Sequence, residues 1–348
     1  MRILLVLLVT ILSLCSLSVG RAFAETLQWP VSLDEGWQEA VLSVSDLDQW
    51  RVQLEDIAGW TVLGKTSVDS QHLANWGLNP NLSAKSVVLF NKGEKQGLVR
   101  LIQFLELEQV QIRSSAQPWD TGGFFSLLIR SRGVEKNFQL ARKYQWTGYN
   151  DPVVLHLGPN RRIRNAVFRG PDGINFGVYE RMVPDLPGWP NIKKMSRPFN
   201  AMQIVKDRDV SVAFYKDVLE FKTIHLGNSP ANSVDSNNFG LPGNLVTSTA
   251  LKSAIMHPSG GETGRVEFIQ WGGLSGRDLT SRAVAPNLGI LTLRFPVSDS
   301  HKKAQNIVNK GGRLLTKPSK VNIFPYGSVN LFSVITPDGV FLEFFQPL

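Results

Sequence analysis

The sequence predicts an α+β protein made of four βαβββ modules, and two observations carry this prediction. A Pro-Asp-Gly turn followed by an apolar strand occurs twice, in FRGPDGINFGVYER (168–181) and in FSVITPDGVFLEFFQPL (332–348). Four stretches share a pattern of strand, helix and strand: 39–64, 124–148, 200–227 and the stretch that begins at 288. A pattern that returns along the chain indicates one structural unit used repeatedly.

The first 24 residues have the pattern of a secretory signal peptide. Arg2 supplies a charged start, residues 3–15 are almost wholly apolar, and Ala22-Phe23-Ala24 forms a cleavage site before Glu25. The apolar run is too short for a comfortable membrane span. We therefore expect a cleaved, periplasmic or secreted protein with no stable membrane span. A retained N-terminal anchor is the alternative.

The cysteine content and the net charge limit the classes of function that this protein can have. Cys15 is the only cysteine, so the mature chain has neither a disulfide nor thiolate chemistry. The formal net charge is +8, and the loss of Arg2 and Arg21 with the signal peptide leaves +6. The basic residues are mostly scattered, which is typical of a solvated surface and gives no reason to expect nucleic-acid binding. A basic surface still favours anionic ligands or a membrane surface.

The first half of the mature chain, residues 25–183, is predicted to contain two modules. In the first module, the strand–helix–strand stretch is followed by strands at 84–93 and 97–105. In the second module, it is followed by strands at 153–159, 162–170 and 175–182. The segment 184–198 is rich in proline and is predicted to be a linker between two domains of two modules each.

The second half, residues 199–348, repeats the pattern more clearly. Strands are predicted after the strand–helix–strand stretch of each module: 249–258 and 265–271, and then 313–318, 328–335 and 340–346. Residues 228–247 are rich in Asn, Ser and Gly and are predicted to form a long loop, and loops of that length are often functional. Glu343 lies in the middle of an apolar strand, where burial of a carboxylate is costly unless a cation or metal pairs with it.

The segments VSVAFYKDVLEFK (210–222) and TPDGVFLEFFQ (336–346) resemble the glyoxalase/bleomycin-resistance/extradiol-dioxygenase group, the vicinal oxygen chelate superfamily. The resemblance covers nearly the whole mature chain as a tandem repeat. It implies that two modules pair into each cup-shaped, glyoxalase-like domain. It also implies a divalent metal at the base of the cup, held by residues of the first and last strands of each module, commonly a His and a Glu.

Counting from these motifs places the implied metal-ligand positions in this chain. Each module has one position on its first strand and one on its last strand. From the first module to the fourth, these pairs are Glu39 and Arg100, then Ser126 and Gly177, then Asn200 and Glu267, and finally Ile290 and Glu343. None of the five histidines falls on them. A site of Asn200, Glu267 and Glu343 contains only oxygen ligands, so it would suit Mn²⁺, Mg²⁺ or Ca²⁺ rather than iron or zinc.

The remaining candidates have weaker signals. Glu39 and Arg100 are expected to pair with each other, because a guanidinium donates in a fork that fits a carboxylate. His225 and His257 are weak acid/base candidates, since imidazole titrates near neutral pH. Tyr326 precedes the last hairpin, where the family resemblance implies the mouth of a cup. An ordinary edge histidine or turn tyrosine is the alternative for each.

The sequence thus predicts an exported, glyoxalase/bleomycin-resistance-like protein. It would bind a small organic molecule in the cup of the second domain, without a standard His-containing metal site and with no certain cofactor. The alternative is a divalent-metal-dependent lyase, isomerase or dioxygenase of the same superfamily, so catalysis is left open. Because the modules pair within one chain, a monomer is feasible.

Overall fold

The computed structural model describes residues 29–186, 188–189 and 191–348, and the predicted signal peptide lies outside this range. The first module consists of β1 (Glu39–Ser43), α1 (Leu47–Ile57), β2 (Thr61–Ser67), α2 (Ser70–Asn75), β3 (Ala84–Phe90) and β4 (Leu98–Phe104). The second consists of β5 (Phe124–Ser131), α3 (Val134–Lys143), β6 (Thr147–Gly148), β7 (Val153–His156), β8 (Arg162–Arg169) and β9 (Asn175–Val183).

The second half of the chain repeats this order. The third module consists of β10 (Met195–Ile204), α4 (Arg208–Ala213), β11 (Lys222–Ser229), α5 (Gly243–Val246), β12 (Leu251–His257) and β13 (Arg265–Trp271). The fourth consists of β14 (Gly289–Pro296), α6 (Ser300–Asn309), β15 (Arg313–Ile323), β16 (Gly327–Ile335) and β17 (Phe341–Pro347). The four predicted βαβββ modules are therefore confirmed, with small additional elements.

The modules pair differently from the prediction. One sheet has the order β15-β16-β17-β14-β1-β4-β3-β2 and joins the fourth module to the first. The other has the order β11-β12-β13-β10-β5-β9-β8-β6 and joins the third module to the second. The pairing of modules within residues 25–183 and within residues 199–348 was therefore wrong. We call the concave faces of these sheets the first cup and the second cup.

The long connections between modules explain this pairing. Residues 105–123 follow the first module, residues 272–288 follow the third, and both carry the chain from one sheet to the other. The two connections run together through bridges between Gln111 and Leu288 and between Thr121 and Asp278. By contrast, the proline-rich segment joins β9 to β10, which belong to one sheet, so this segment is not a boundary between two sheets.

The two Pro-Asp-Gly turns fasten neighbouring modules to each other. Asp172 accepts hydrogen bonds from the backbone N–H of Ser45 (2.9 Å) and from the indole N–H of Trp50 (2.7 Å), beside the start of α1. Asp338 accepts one from the hydroxyl of Ser211 in α4 (2.7 Å). Each turn thus ties an even-numbered module to the first helix of an odd-numbered one.

The two sheets share one large apolar core. It contains Trp50 of α1 and Leu293 of β14 together with Phe176 of β9 and Phe268 of β13. The convex faces of the two sheets therefore pack against this shared core. The concave faces, which form the cups, are on the opposite side of each sheet. No helix within the described residues is both long and apolar enough to cross a membrane.

We expect that residues 25–183 and residues 199–348, expressed separately, do not fold as stable monomers. Each half contains strands of both sheets, and separation removes the antiparallel pairing of β1 with β14 and of β5 with β10. Circular dichroism and thermal melting of each half, and of the two mixed, would test this. A cooperative melt of either half as a monomer would contradict the pairing, and recovery on mixing would support it.

Candidate functional site

The first cup has a buried network of charged side chains at its base. Arg100 of β4 donates from Nε and Nη2 to the two carboxylate oxygens of Glu39 on β1, at 2.7 and 2.9 Å. Arg294 of β14 also donates to Glu39, from Nη1. Tyr326 donates its hydroxyl proton to the same carboxylate at 3.3 Å. The predicted pair of Glu39 and Arg100 is confirmed, and a second arginine joins it.

Arg294 connects this pair to Glu343 on β17. Its Nε donates to Oε2 of Glu343 at 2.7 Å. The other oxygen of Glu343 lies 2.9 Å from Nε2 of His72 and accepts a hydrogen bond from the indole of Trp76 at 2.8 Å. His72 belongs to α2 and Trp76 caps its end, so this short helix closes the cup over the carboxylate.

Electrostatics keeps this network ionised and neutral overall. Burial alone would raise the pKa of Glu343, but Arg294 and then His72 outweigh it and hold the pKa at about 2. Burial acts likewise on Glu39, whose pKa is held below its ordinary value by Arg100 and Arg294. Burial lowers the pKa of His72, which is therefore neutral at pH 7. Two carboxylates face two guanidiniums, and the charges cancel.

The first cup does not fit a metal ion. Each oxygen of the two carboxylates, Glu39 and Glu343, already accepts a hydrogen bond. The donor is a guanidinium in three cases and the indole N–H of Trp76 in the fourth. Two guanidiniums would repel a dication at this position. Among the described residues, no three His, Cys, Asp or Glu side chains form a group able to hold a metal.

The predicted oxygen-only site of Asn200, Glu267 and Glu343 is also corrected. Glu343 lies on β17 in the first sheet, whereas Asn200 and Glu267 lie on β10 and β13 in the second. The three side chains cannot share one ion, because their modules belong to different cups. Ile290, counted as the first-strand position of the fourth module, belongs to the main core instead, and Arg294 is the β14 residue in the cup.

The second cup has a smaller polar centre that includes a carboxyl group. Asn200 donates its amide N–H to Glu267 at 3.2 Å across the parallel strands β10 and β13. Burial raises the pKa of Glu267 to about 7, and the Asn200 hydrogen bond and the charge of Arg265 offset only part of this effect. The carboxyl is therefore poised to hold or release a proton near neutral pH, which is the property of a general acid or base.

Two polar atoms on the same face of the sheet have no protein partner among the described residues. Oγ of Ser126 and Oδ1 of Asn200 are buried, and neither forms a hydrogen bond with any residue that the structure describes. Ser126 lies on β5, directly beside β10, with Met202 as its partner in the ladder. Unsatisfied buried polar groups are costly, so a site that retains them is suited to hydrogen bonding with a bound molecule.

An apolar cluster surrounds this polar centre. Phe239 comes from the predicted long loop and packs against Phe125 of β5 and Trp271 of β13, with ring centroids 5.9 and 5.2 Å apart. Asn238 of the same loop donates to Asn165 of β8 at 2.7 Å. The loop therefore reaches from the third module to the second and closes one end of the second cup.

The remaining sequence candidates have separate places. His225 lies exposed on the edge strand β11, with Nε2 at 3.2 Å from the hydroxyl of Ser253. His257 is buried, accepts backbone N–H groups of Gly260 and Gly261 on Nδ1 at 2.8 Å each, and donates from Nε2 to a backbone carbonyl. It thus stabilises the turn between β12 and β13. Tyr326 is buried in the first cup rather than at the mouth of the second.

Sequence reasoning missed His72, Trp76 and Arg294. A signal for Arg294 was present, because it is the one charged residue in the apolar segment LTLRFPV (291–297), as Glu343 is in its own strand. His72 and Trp76 carry no such signal. They come from a helix inserted between β2 and β3, and only the folded chain brings that helix over the cup.

Comparisons with known proteins identify the fold. The chain matches no protein-family model and no curated protein. Among solved structures, it is similar to glyoxalase I from Zea mays, with a TM-score of 0.61 and 17% identity over 90% of this chain and 92% of the other. It is also similar to a candidate dioxygenase from Bacillus subtilis, with a TM-score of 0.55 and 10% identity over 91% of this chain and 86% of the other. The chain has the fold of the vicinal oxygen chelate superfamily.

The replacement Glu343→Gln is expected to destabilise the protein by about 3–5 kcal/mol, because it leaves Arg294 partly unpaired in a buried site. Urea unfolding at pH 7 would measure the free energy. Glu267→Gln is the matched control, since Glu267 is the equivalent last-strand residue of the third module and has no guanidinium partner within the described residues. Equal losses in both variants would contradict the assignment of the ionic network to the first cup alone.

The stability of the wild-type protein should depend on pH through Glu267. Its pKa rises from 4.5 to about 7 on folding. Between these values the unfolded state loses the proton while the folded state keeps it, so stability falls as pH rises and levels off above pH 7. Glu267→Gln should be close to the wild type near pH 4.5 and exceed it by about 3 kcal/mol at pH 8. If the free energies of unfolding of the two proteins change with pH in parallel, folding does not raise the pKa of Glu267.

Proposed function

We propose that this chain is a glyoxalase/bleomycin-resistance-like protein that binds a small organic molecule in the second cup. The observation that carries the proposal is the pair of unsatisfied buried atoms, Oγ of Ser126 and Oδ1 of Asn200, on the face of the sheet that also carries the protonatable carboxyl of Glu267. A molecule with hydroxyl or carbonyl groups would complete their hydrogen bonds. In the first cup the charged groups satisfy one another, since Glu39, Arg294 and Glu343 are paired, and the unpartnered buried hydroxyl of Ser333 lies opposite Glu343 in the ladder without a titratable group in need of a partner.

The proposal places the ligand in the cup of the second and third modules. The apolar side chains around the polar centre supply the surface that an organic molecule needs, and the few polar groups fix its orientation. The ligand would displace water from Phe125, Trp271 and Met202 and meet Glu267 at the base. The signal-peptide pattern adds the proposal that the protein acts in the periplasm or outside the cell.

The alternative is a divalent-metal-dependent lyase, isomerase or dioxygenase. The second cup offers one carboxyl, one amide oxygen and one hydroxyl for a metal, and that carboxyl carries a full charge only above about pH 7. Such a donor set is weak even for Mg²⁺, Mn²⁺ or Ca²⁺, which prefer several carboxylates or carbonyls. We therefore favour binding without a metal.

Thermal melting of the mature protein decides between these readings. Millimolar Mn²⁺, Mg²⁺ or Ca²⁺ should leave the melting temperature unchanged, whereas oxygenated organic compounds that fit the cup should raise it. A rise with a metal that disappears in Glu267→Gln would support the enzyme reading instead. If a metal still raises the melting temperature of Glu267→Gln, the ion binds elsewhere. The binding proposal then stands only if organic compounds also raise the melting temperature.

The replacement Ser126→Ala should stabilise the free protein by about 1 kcal/mol, because it removes a buried hydroxyl with no partner. The same variant should bind any ligand of the second cup more weakly. Ser86→Ala is the matched control, since Ser86 is also a buried strand serine but accepts a hydrogen bond from Arg100 at 3.0 Å. That control should destabilise the protein and leave ligand binding unchanged, as measured by urea unfolding and calorimetric titration. A loss of stability in Ser126→Ala would contradict the proposed role of the hydroxyl.

A further inference from the structure

One end of the second cup carries an unusual concentration of arginines. Arg130 of β5 and Arg181 of β9 line a cleft of about 650 Å³ together with Tyr179 and Trp189. Arg130 faces Tyr179 in the β5–β9 ladder. Side chains alternate along a strand, so Ser126, Arg130, Tyr179 and Arg181 all belong to the concave face. The cleft therefore continues the surface that holds the polar centre.

The guanidinium of Arg130 is held in a fixed position. It lies over the ring of Trp189 at 4.7 Å and over the ring of Phe199 at 4.5 Å. These cation–π contacts orient the planar fork before any ligand arrives. Arg197 lies on Trp189 as well, at 4.7 Å, but it pairs with the carboxylate of Glu94.

Arg130 and Arg181 have no such partner. Within the described residues neither forms an ion pair, and Nε of each is buried without a hydrogen-bond acceptor. Burial lowers the pKa of Arg130 to about 10; the like charge of Arg181 contributes in the same direction, and the charge of Glu262 offsets part of the effect. Two cations are thus placed side by side, partly removed from water, where an anion would relieve their repulsion.

We propose that Arg130 and Arg181 bind the carboxylate or phosphate group of the ligand in the second cup, which makes that ligand a small organic anion. This inference rests on the proposed function for the position of the ligand. Ser126 and Arg130 are four residues apart on one strand, which corresponds to about 13 Å between their Cα atoms. A molecule with an oxyanion at one end and a hydroxyl or carbonyl at the other can therefore contact both the arginines and the polar centre at Glu267.

The test uses calorimetric titration of the mature protein with three probes: 4-hydroxybenzoate, its neutral analogue 4-hydroxybenzamide, and phenyl phosphate. We expect both anions to bind at least about tenfold more tightly than the amide, and the difference to shrink at high salt. Arg130→Gln and Arg181→Gln should each weaken anion binding about tenfold or more and leave the amide unaffected. Preference for one of the two anions would identify the ligand as a carboxylate or a phosphate.

Arg313→Gln is the matched control, because Arg313 is an exposed arginine at the start of β15 in the other sheet. It should leave binding of all three probes unchanged. Thermal melting of the free variants checks their folding, and Arg181→Gln should melt at or above the wild-type temperature because a repulsion is removed. A folded Arg181→Gln protein that binds the anions as tightly as the wild type overturns the inference.

The outcomes separate this inference from the function on which it rests. If the amide and the anions bind equally and Ser126→Ala weakens all of them, the second cup binds organic molecules but the arginines do not select anions. If the anions depend on Arg130 and Arg181 but not on Ser126, the arginines bind anions outside the cup, and the placement proposed here is wrong. If no probe binds, neither proposal stands for ligands of this size.

Discussion

The buried contact between Glu39 and Arg294 is the constraint on which the rest of the structure depends. Glu39 belongs to the first strand of the chain and Arg294 to the first strand of the last module, so this contact joins distant parts of the sequence. It links the pair of Glu39 and Arg100 to the pair of Arg294 and Glu343 in one neutral network. Any other pairing of modules would divide that network and separate His72 from Glu343. The network therefore favours the pairing of the first module with the fourth.

This pairing leaves the second and third modules to form the other sheet, and the two cups differ in chemistry as a result. In the first cup, each charge meets an opposite charge, and α2 closes the site with His72 and Trp76. In the second cup, the last-strand glutamate faces an asparagine, and the hydroxyl of Ser126 has no partner within the part of the chain that the structure describes. The charged groups of the first cup are paired within the protein, whereas the arginines and the carboxyl of the second cup are not paired with opposite charges among the described residues.

The second cup retains several groups that reduce stability, which is why we propose a binding site there. A serine hydroxyl without a partner, a carboxyl with a raised pKa and two adjacent guanidiniums all reduce the stability of the free protein. Proteins whose other residues all favour the fold commonly retain such destabilising groups at the sites where they bind a ligand or catalyse a reaction. The first cup shows that this chain can satisfy the same strand positions with opposite charges, so the unsatisfied state of the second cup is not imposed by the fold.

The sequence by itself determined the type and the number of modules. The alternation of apolar residues, the helical spacing in segments such as 210–222 and the two Pro-Asp-Gly turns are local signals, and each was sufficient to predict a strand, a helix or a turn. The pair of Glu39 and Arg100 was also predictable, because both residues belong to one module and occupy equivalent strand positions. Local patterns are reliable here because they depend on the periodicity of the backbone.

Only the tertiary structure decided which modules share a sheet, and with it the composition of each site. The proline-rich segment after β9 has the composition of a domain linker, yet it connects two strands of one sheet. Nothing in the local pattern of β1 distinguishes β14 from β5 as its neighbour, because an apolar first strand can pair with either. The choice is made by contacts across the chain, such as Glu39 with Arg294 and Asp120 with Arg277. For this reason Glu267 and Glu343, equivalent in sequence, lie in different cups and have pKa values shifted in opposite directions.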